Sequence, residues 1–384
     1  MSPREAGFAA AIVAVAESPY SRHPPAGTTT TALLADAFLR VLAAAGIGRD
    51  DVDGLGVASF TLAPDHAVDL AWRLGVDLRW AMEDPHGGAA ALNLLTHALR
   101  AVEAGEAENV VLLAGDHFGP GEFDRLVSHY NRATSEHLAP IPSGGPNAQF
   151  ALVTQRHMAR HELDRRDYGV IPVAQRSWAA RNPDAVYREP LSLDDYLAAP
   201  VVAPPLGRYD CVPVVSGADA VLVARAQTSA PGVRVRAARS SFNHDSQLGD
   251  GLSTGLGSLA ADLWEAAGFG PDDVDVACVY DDYPAMVLVQ LDELGFLPGG
   301  DIRRFLRERL QRDRWPLNTS GGQLSAGQAG AAGGMHGLVE AVRQLLGQAG
   351  ERQVAARRAV VTGYGSVVYL HGGCAAAAAL ESTR

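Results

Sequence analysis

The sequence predicts a layered α/β fold built from two copies of one unit. Three observations carry that expectation. First, segments of strand character alternate with segments of helical period along most of the chain. Second, residues 43–59 (AAAGIGRDDVDGLGVAS) and 265–281 (EAAGFGPDDVDVACVYD) align without a gap and share nine of seventeen residues. Each copy reads as a helix end, a glycine turn and a strand, so the same supersecondary unit occurs twice and implies a pseudo-twofold. Third, residues 318–346 open polar, become almost pure Gly, Ala and Ser, and end as an amphipathic helix. Ten of the residues from Gly321 to Gly334 are glycine or alanine, and none is charged. Small residues at that density let backbones approach each other or a ligand closely.

The elements follow in order. The apolar run 8–16 (FAAAIVAVA) reads as a buried strand rather than a secretion signal, because Glu5 beside Arg4 spoils a basic leader. A helix is expected over 28–45 and a strand over 52–59. Val68, Ala71 and Trp72 have the i, i+3, i+4 spacing of a short helix. Residues 82–88 form a strand end and turn, 89–104 a strongly periodic helix, and 109–115 (NVVLLAG) a strand buried on both faces. From 116 to 205 the alternation breaks into an excursion with several histidines and prolines and a helix near 147–163. Such an insertion commonly covers a pocket. Strand character returns over 212–224, and Ala230-Pro231-Gly232 signals a boundary. The second half restarts with a strand at 233–240, a helix at 258–267, a strand at 274–280 and a helix at 285–294. The glycine-rich stretch, a strand at 359–363 and an alanine-rich end complete it. The halves are therefore 1–230 and 231–384. Residues 87–102 and 321–342 each begin Gly-Gly and become an Ala-rich helix, so these two helices are expected to meet at the centre, with a ligand cleft between the halves.

Composition narrows the function. The chain has 384 residues, 47% hydrophobic and 20% charged, as in an ordinary globular protein with a large core. A net charge of −12 argues against nucleic acid or an anionic membrane as the main partner. Arg303, Arg304, Arg307 and Arg309 cluster, and read as a solvated helix face before a phosphate site. Cys211, Cys278 and Cys374 are far apart, with no zinc spacing, which suits a reducing cytoplasm. His157 and His161 have i, i+4 spacing, but Glu162 falls outside the pair, so no metal site is expected. Gly251–Gly255 (GLSTG) fits a nucleophile elbow, yet no apolar strand precedes it.

Four segments carry a family resemblance: RAVEAGEAENVVLLAGD, NPDAVYREPLSLDDYLAAPVVAPPLGRYDCVP, DDVDVACVYDDYPAMVLVQLDELGF and NTSGGQLSAG. Over nearly the whole chain the layout resembles the thiolase superfamily. It is most similar to the thiolase-like lipid-transfer-protein branch, which includes acyl-CoA thiolases and steroid side-chain aldolases. The resemblance implies a five-layer α/β/α/β/α fold with two βαβαβαββ halves.

The departures from the family pattern matter most. The position of the family's acyl-carrying cysteine falls near Gly88, in HGGAAAL. The family's Gly-His-Pro becomes Gly327-Gln328-Ala329. Its Asn-Glu-Ala-Phe, or His-Asp-Cys-Phe in the closer branch, becomes Tyr280-Asp281-Asp282-Tyr283. The terminal Cys-x-Gly-Gly-Gly becomes Tyr369-Leu370-His371-Gly372-Gly373, followed by Cys374. Glycine cannot carry an acyl group, and Gln328 has no titratable proton. Gln328 can still donate N–H to a thioester oxygen, and Tyr280 can exchange a proton with an alcohol.

That pair suits aldol-type cleavage of a β-hydroxyacyl-CoA without a covalent intermediate. The alternatives are an acyltransferase or Claisen-type enzyme with another nucleophile, such as Cys374, and a non-catalytic acyl-binding or scaffolding subunit. By position, Tyr280, Gln328 and His86 are the catalytic candidates, His86 being a pocket donor or a turn residue. Gly88, Asp281, Tyr283, Asn318, Ser325 and His371 are the candidates for substrate contact. His336 reads as a core or helix-surface histidine. The resemblance also implies a coenzyme A thioester as substrate, no bound cofactor, a homodimer, and a small zinc-bearing OB-fold partner protein. It further implies that the aldolase relatives carry a tyrosine where Gln328 stands.

Overall fold

The computed structural model describes residues 8–62, 66–129, 135–136, 145–225, 232–245, 248–312, 314–368 and 371–383. The first half runs β1 (Ala10–Glu17), α1 (Thr30–Ala45), β2 (Gly54–Ala58), α2 (His66–Leu74), β3 (Trp80–Glu83), α3 (Ala90–Ala104) and β4 (Asn109–Asp116). The excursion holds helices α4 (Glu122–Ser128), α5 (Gly145–His161), α6 (Arg165–Ala179) and α7 (Leu193–Ala198) and a small hairpin, β5 (Val201–Ala203) with β6 (Leu206–Gly207). The chain returns through β7 (Gly217–Arg225). The second half runs β8 (Val233–Phe242), α8 (Ala260–Ala267), β9 (Val276–Cys278), α9 (Pro284–Glu293), α10 (Ile302–Phe305), α11 (Gly322–Ala326), α12 (Gly333–Leu346), β10 (Arg358–Val368) and β11 (His371–Ser382). The boundary expected at Ala230-Pro231 lies outside the described residues.

Nine strands form one continuous sheet in the order β3-β2-β4-β7-β1-β8-β11-β10-β9. It is two half-sheets joined by a short antiparallel seam, Ala11 opposite Arg234 and Ile12 opposite Val233. Three large cores show the layering. Leu34, Phe38 and Val41 of α1 and Leu70 of α2 pack on one face of the first half-sheet. Leu94 and Leu95 of α3 and Leu338 and Val342 of α12 fill the space between the half-sheets. Leu263 of α8 and Val287 and Leu291 of α9 cover the far face of the second. That is the five-layer α/β/α/β/α arrangement. Each of these fully buried side chains contributes roughly 1.5–3 kcal/mol.

The repeat holds residue for residue. Helices α1 and α8 end at Ala45 and Ala267 on left-handed glycines, Gly46 (φ 70°) and Gly268 (φ 76°). A single 3₁₀ turn follows in each, 49–51 and 271–273, and strands β2 and β9 begin at Gly54 and Val276. The shared aspartate explains part of the identity. Asp53 accepts from the backbone N–H of Glu108 and Asn109 at 2.8–3.0 Å, pinning the start of β4. Asp275 accepts from Arg357 and Arg358 at 2.8 and 3.0 Å, pinning the start of β10.

One local expectation changes, and two elements have no counterpart in the sequence reading. Helix α2 exists, but Val68 and Trp72 lie exposed while Ala67, Leu70, Ala71 and Leu74 face the core. Helix α6 inside the excursion has no counterpart in the sequence reading. The alanine-rich end is a strand: Ala375, Ala377 and Ala379 face one core, and Ala376 and Ala378 the other. Pairing with β8 and β10 on both edges overrides alanine's helical preference, and only methyl groups fit between two covering layers. Among the described residues no helix is long and apolar enough to cross a membrane.

Candidate active site

Helices α3 and α12 meet head to head at the glycines the sequence singles out. A Cβ placed on Gly334 would stand 2.5 Å from the carbonyl oxygen of Gly88, and one on Gly363 or Gly365 would strike the 86–88 backbone. Gly88 itself is enclosed by the Tyr364 carbonyl and by the ring of Tyr280, whose Cε2 and Cζ would stand 2.5 and 2.6 Å from a Cβ there. This close-packed knot forms the floor of a cavity of about 260 Å³. Tyr280, Asp282 and Tyr283 enter from the head of α9, Gln328 and Gly330 from the loop before α12, and Tyr364 and Gly365 from β10. The roof comes from the excursion, through Phe123, Leu126 and Val127 of α4 and Asn147 and Phe150 of α5. The excursion therefore does cover a pocket. A second cavity of about 140 Å³, lined by Glu17, Tyr20, His336 and Arg343, contains none of the positions carried over from the family pattern.

Tyr280 is held at both ends. Its backbone N–H donates to Thr362 Oγ1 at 3.1 Å, and its carbonyl accepts from Gln290 Nε2 at 2.7 Å. At the ring's far end Gln328 Nε2 donates to Tyr280 Oη at 3.0 Å and to Gln323 Oε1 at 3.0 Å. Both amide protons of Gln328 are thus committed within the protein. This departs from the expectation of a donor to substrate: in this arrangement Gln328 orients the phenol. Its own backbone is fixed beside residues 213–215, donating to Pro213 O at 2.9 Å and accepting from Val215 N at 3.1 Å.

Asp282 is the group that the sequence reading missed. Its carboxyl group accepts a hydrogen bond from Tyr364 Oη, and its side chain opens partly on the cavity. Burial, opposed by the Tyr364 bond and reinforced by Asp281, pushes its pKa up to about 8, so the carboxyl holds a proton at neutral pH. The clue in the sequence was the second aspartate of Tyr280-Asp281-Asp282-Tyr283, but the first was preferred. Asp281 turns inward instead. It accepts from Gln323 N at 2.9 Å and Leu324 N at 3.2 Å, fastening the start of α11.

The other candidates divide in the same way. Tyr283 lines the cavity, stacked on Phe150 with centroids 4.4 Å apart and donating to Asn147 Oδ1 at 2.8 Å. Asn318 bonds Val279 through both ends of its amide, at 2.7 and 3.0 Å, and lies away from the cavity. Ser325 accepts from Arg176 Nε at 2.9 Å. His86 is not among the lining residues. Its Nδ1 lies 2.8 Å from Asp84 Oδ1, which raises its pKa against its partial burial, and its ring packs edge-on to Phe242. His336 is buried between Ser320 and Glu17. His371 opens β11, and its side chain lies outside the described part of the structure, as do Tyr369 and Leu370. The cysteines offer no evident thiolate. Burial pushes the Cys211 thiol up to about 12 and raises that of Cys278, while Cys374 is buried and donates to His86 O at 3.5 Å.

Residues 237–374 match the family model described as Thiolase C-terminal domain-like. The chain is 33% identical to the 17-hydroxy-3-oxo-4-pregnene-20-carboxyl-CoA lyase of Mycobacterium tuberculosis, over 88% of this chain and 92% of that one. It is 29% identical to the steroid side-chain-cleaving aldolase of Thermomonospora curvata, over 88% and 90%. A solved structure named Ltp2-ChsH2(DUF35) aldolase superposes with a TM-score of 0.84 at 26% identity, over 98% of both chains.

Proposed function

The chain belongs to the thiolase superfamily, and from that premise we propose that it cleaves a β-hydroxyacyl-CoA by a retro-aldol reaction with no acyl-enzyme. One observation carries the reading: the ring of Tyr280 occupies the space that a side chain on Gly88 would need, with its Oη tethered by Gln328. Where the resemblance puts the family's thiol, this chain has the phenol of Tyr280 alongside. Proton transfer remains possible there, and covalent acyl transfer does not.

The step balances without a co-reactant. Tyr280 enters the step as the phenolate, which the N–H from Gln328 stabilises, and takes the proton of the β-hydroxyl. The Cα–Cβ bond breaks, a carbonyl forms at Cβ, and the bonding pair passes to the thioester as an enolate. Asp282, protonated and open to the cavity, returns a proton to Cα. One proton passing from Tyr280 to Asp282 resets the site. The products are a ketone or aldehyde and a shortened acyl-CoA. Phe123, Leu126, Val127 and Phe150 suit a bulky apolar group on the carbonyl product.

The DUF35 component in the relative's name supports a similar small partner here, which we take to be a zinc-bearing OB-fold protein, with this chain as a homodimer. A CoA ester substrate and unbridged cysteines fit the cytoplasm. Incubating the chain, alone and with such a partner, with β-hydroxyacyl-CoAs tests the reading; absence of any carbonyl product from either preparation sinks it.

A further inference from the structure

The second cavity, of about 140 Å³, lies over an arrangement of charges that the reaction does not use. Strands β1 and β7 pair antiparallel in the first half-sheet, and their register sets Glu17 directly opposite Asp219. Directly opposed residues share one face of a sheet, and like charges there are destabilising. Burial raises that cost. Asp219 is fully buried, and among the described residues its side-chain donor is Tyr20, whose Oη lies 2.9 and 3.0 Å from the two carboxyl oxygens. One hydroxyl proton cannot satisfy both oxygens. Glu17 divides its own pair. Its Oε2 accepts a hydrogen bond from Arg343, while its Oε1 lies 3.1 Å from His336 Nδ1. Arg343 therefore neutralises Glu17 and leaves Asp219 without a counter-charge.

His336 comes from α12, in the second half, and is only 4% exposed. Its Nε2 lies 2.7 Å from Ser320 Oγ. Its Nδ1 makes no hydrogen bond among the described residues, because the approach to Glu17 Oε1 is not in hydrogen-bonding geometry. A buried ring nitrogen without such a bond thus faces two carboxyl groups.

These atoms converge. One oxygen from each carboxyl group and a nitrogen of His336 lie within 4.8 Å of one another. Two ligands at ~2.1 Å from one ion and at right angles stand ~3.0 Å apart, which the Nδ1–Oε1 separation matches. Each residue is also held from behind, Glu17 by Arg343, Asp219 by Tyr20 and His336 by Ser320. Outer partners of this kind orient metal ligands. The cavity has room for the waters that complete a coordination shell.

We propose that Glu17, Asp219 and His336 bind one divalent transition-metal ion, Zn²⁺ or Mn²⁺. One imidazole with two carboxylates suits that class. The ion is structural: it ties α12 to the β1–β7 pair, and so joins the two halves beside the helix that packs Gly334 on Gly88. The three residues are far apart in sequence, so no local spacing marks them. The inference stands independently of the lyase reading.

The test is calorimetric titration of the tag-free, chelator-treated full chain with Zn²⁺ and, separately, with Mn²⁺, followed by thermal melts with and without each ion. The expected result is one ion per chain for at least one metal, with a melting temperature that rises as it binds. Glu17→Gln and His336→Gln should each weaken binding at least tenfold and abolish the rise. Tyr20→Phe keeps all three ligands and loses only the bond to Asp219, so it should weaken binding by roughly tenfold. Melts of the metal-free variants check folding, and Tyr20→Phe carries the test if a ligand variant does not fold. Binding of neither ion by wild type, or equal binding by wild type and the folded variants, would overturn the proposal.

Discussion

Gly88 and Tyr280 share one small space: a Cβ on Gly88 would stand 2.5 Å from Cε2 of the Tyr280 ring and would also strike the Tyr364 carbonyl. On the proposed reading, the phenol takes the space that a side chain at Gly88 would need, so a cysteine placed there alone would not supply an acyl-carrying thiol.

Gly88→Cys makes that concrete. Overpacking against a backbone oxygen and a tethered ring should cost about 1–3 kcal/mol, lowering the melting temperature by several degrees. No acyl adduct should form on the introduced thiol when the variant meets an acyl-CoA. Calorimetry and intact-mass spectrometry check the two halves of this expectation.

Removing the phenol oxygen should remove the chemistry and spare the pocket. Tyr280→Phe is expected to lower kcat by roughly 10²–10⁴ while KM moves little. Gln328→Leu loses the bond to Oη along with that to Gln323 Oε1; the first is of order 1 kcal/mol and thus up to about tenfold in kcat. Steady-state kinetics of the two variants should show this ordering.

Asp282 should give the enzyme an alkaline limit. With its pKa near 8, the proton donor is lost as pH rises through that value, so kcat should fall above about pH 8. Asp282→Asn should be slow and should lose this limb. Stability has its own sign. The folded state retains a proton that the unfolded chain, with a carboxyl pKa of about 3.9, has released, so stability declines as pH rises from about 4 toward 8. Asp282→Asn removes that decline. Its stability should match wild type near pH 4 and exceed it by roughly 2 kcal/mol near pH 8, a figure discounted from full linkage because the carboxyl opens on the cavity. Urea unfolding at the two pH values measures the difference.

The repeated aspartates should have matching costs. Asp53→Asn and Asp275→Asn each weaken charge-assisted bonds to the first N–H groups of a central strand. Each should lose roughly 1–3 kcal/mol by denaturant titration, on top of an unchanged fold.

The repeat made much of the architecture legible, because a helix end, a left-handed glycine and a capping aspartate are local features that two copies display twice. The meeting of α3 and α12 was legible for a related reason: only small residues permit such contact. The alanine-rich strand β11 was not, since its state is set by neighbours on both edges rather than by its own preference. In the site, position put Tyr280 and Gln328 at the cavity but did not say where each side chain points. Asp281 and Asp282 are adjacent, and one fastens α11 while the other faces the cavity. Ser325 and Asn318 were chosen from a motif whose polar groups serve the backbone and Arg176.

The most direct measurement is a single-turnover reaction of the chain, with its partner if one is required, on a β-hydroxyacyl-CoA, followed by mass spectrometry of both small molecules and protein. The expected result is a carbonyl product and a shortened acyl-CoA in equal amounts, a protein mass that never changes, and cleavage by Tyr280→Phe slowed by roughly 10²–10⁴. A protein mass increased by an acyl group, or cleavage by Tyr280→Phe at the wild-type rate, would contradict it.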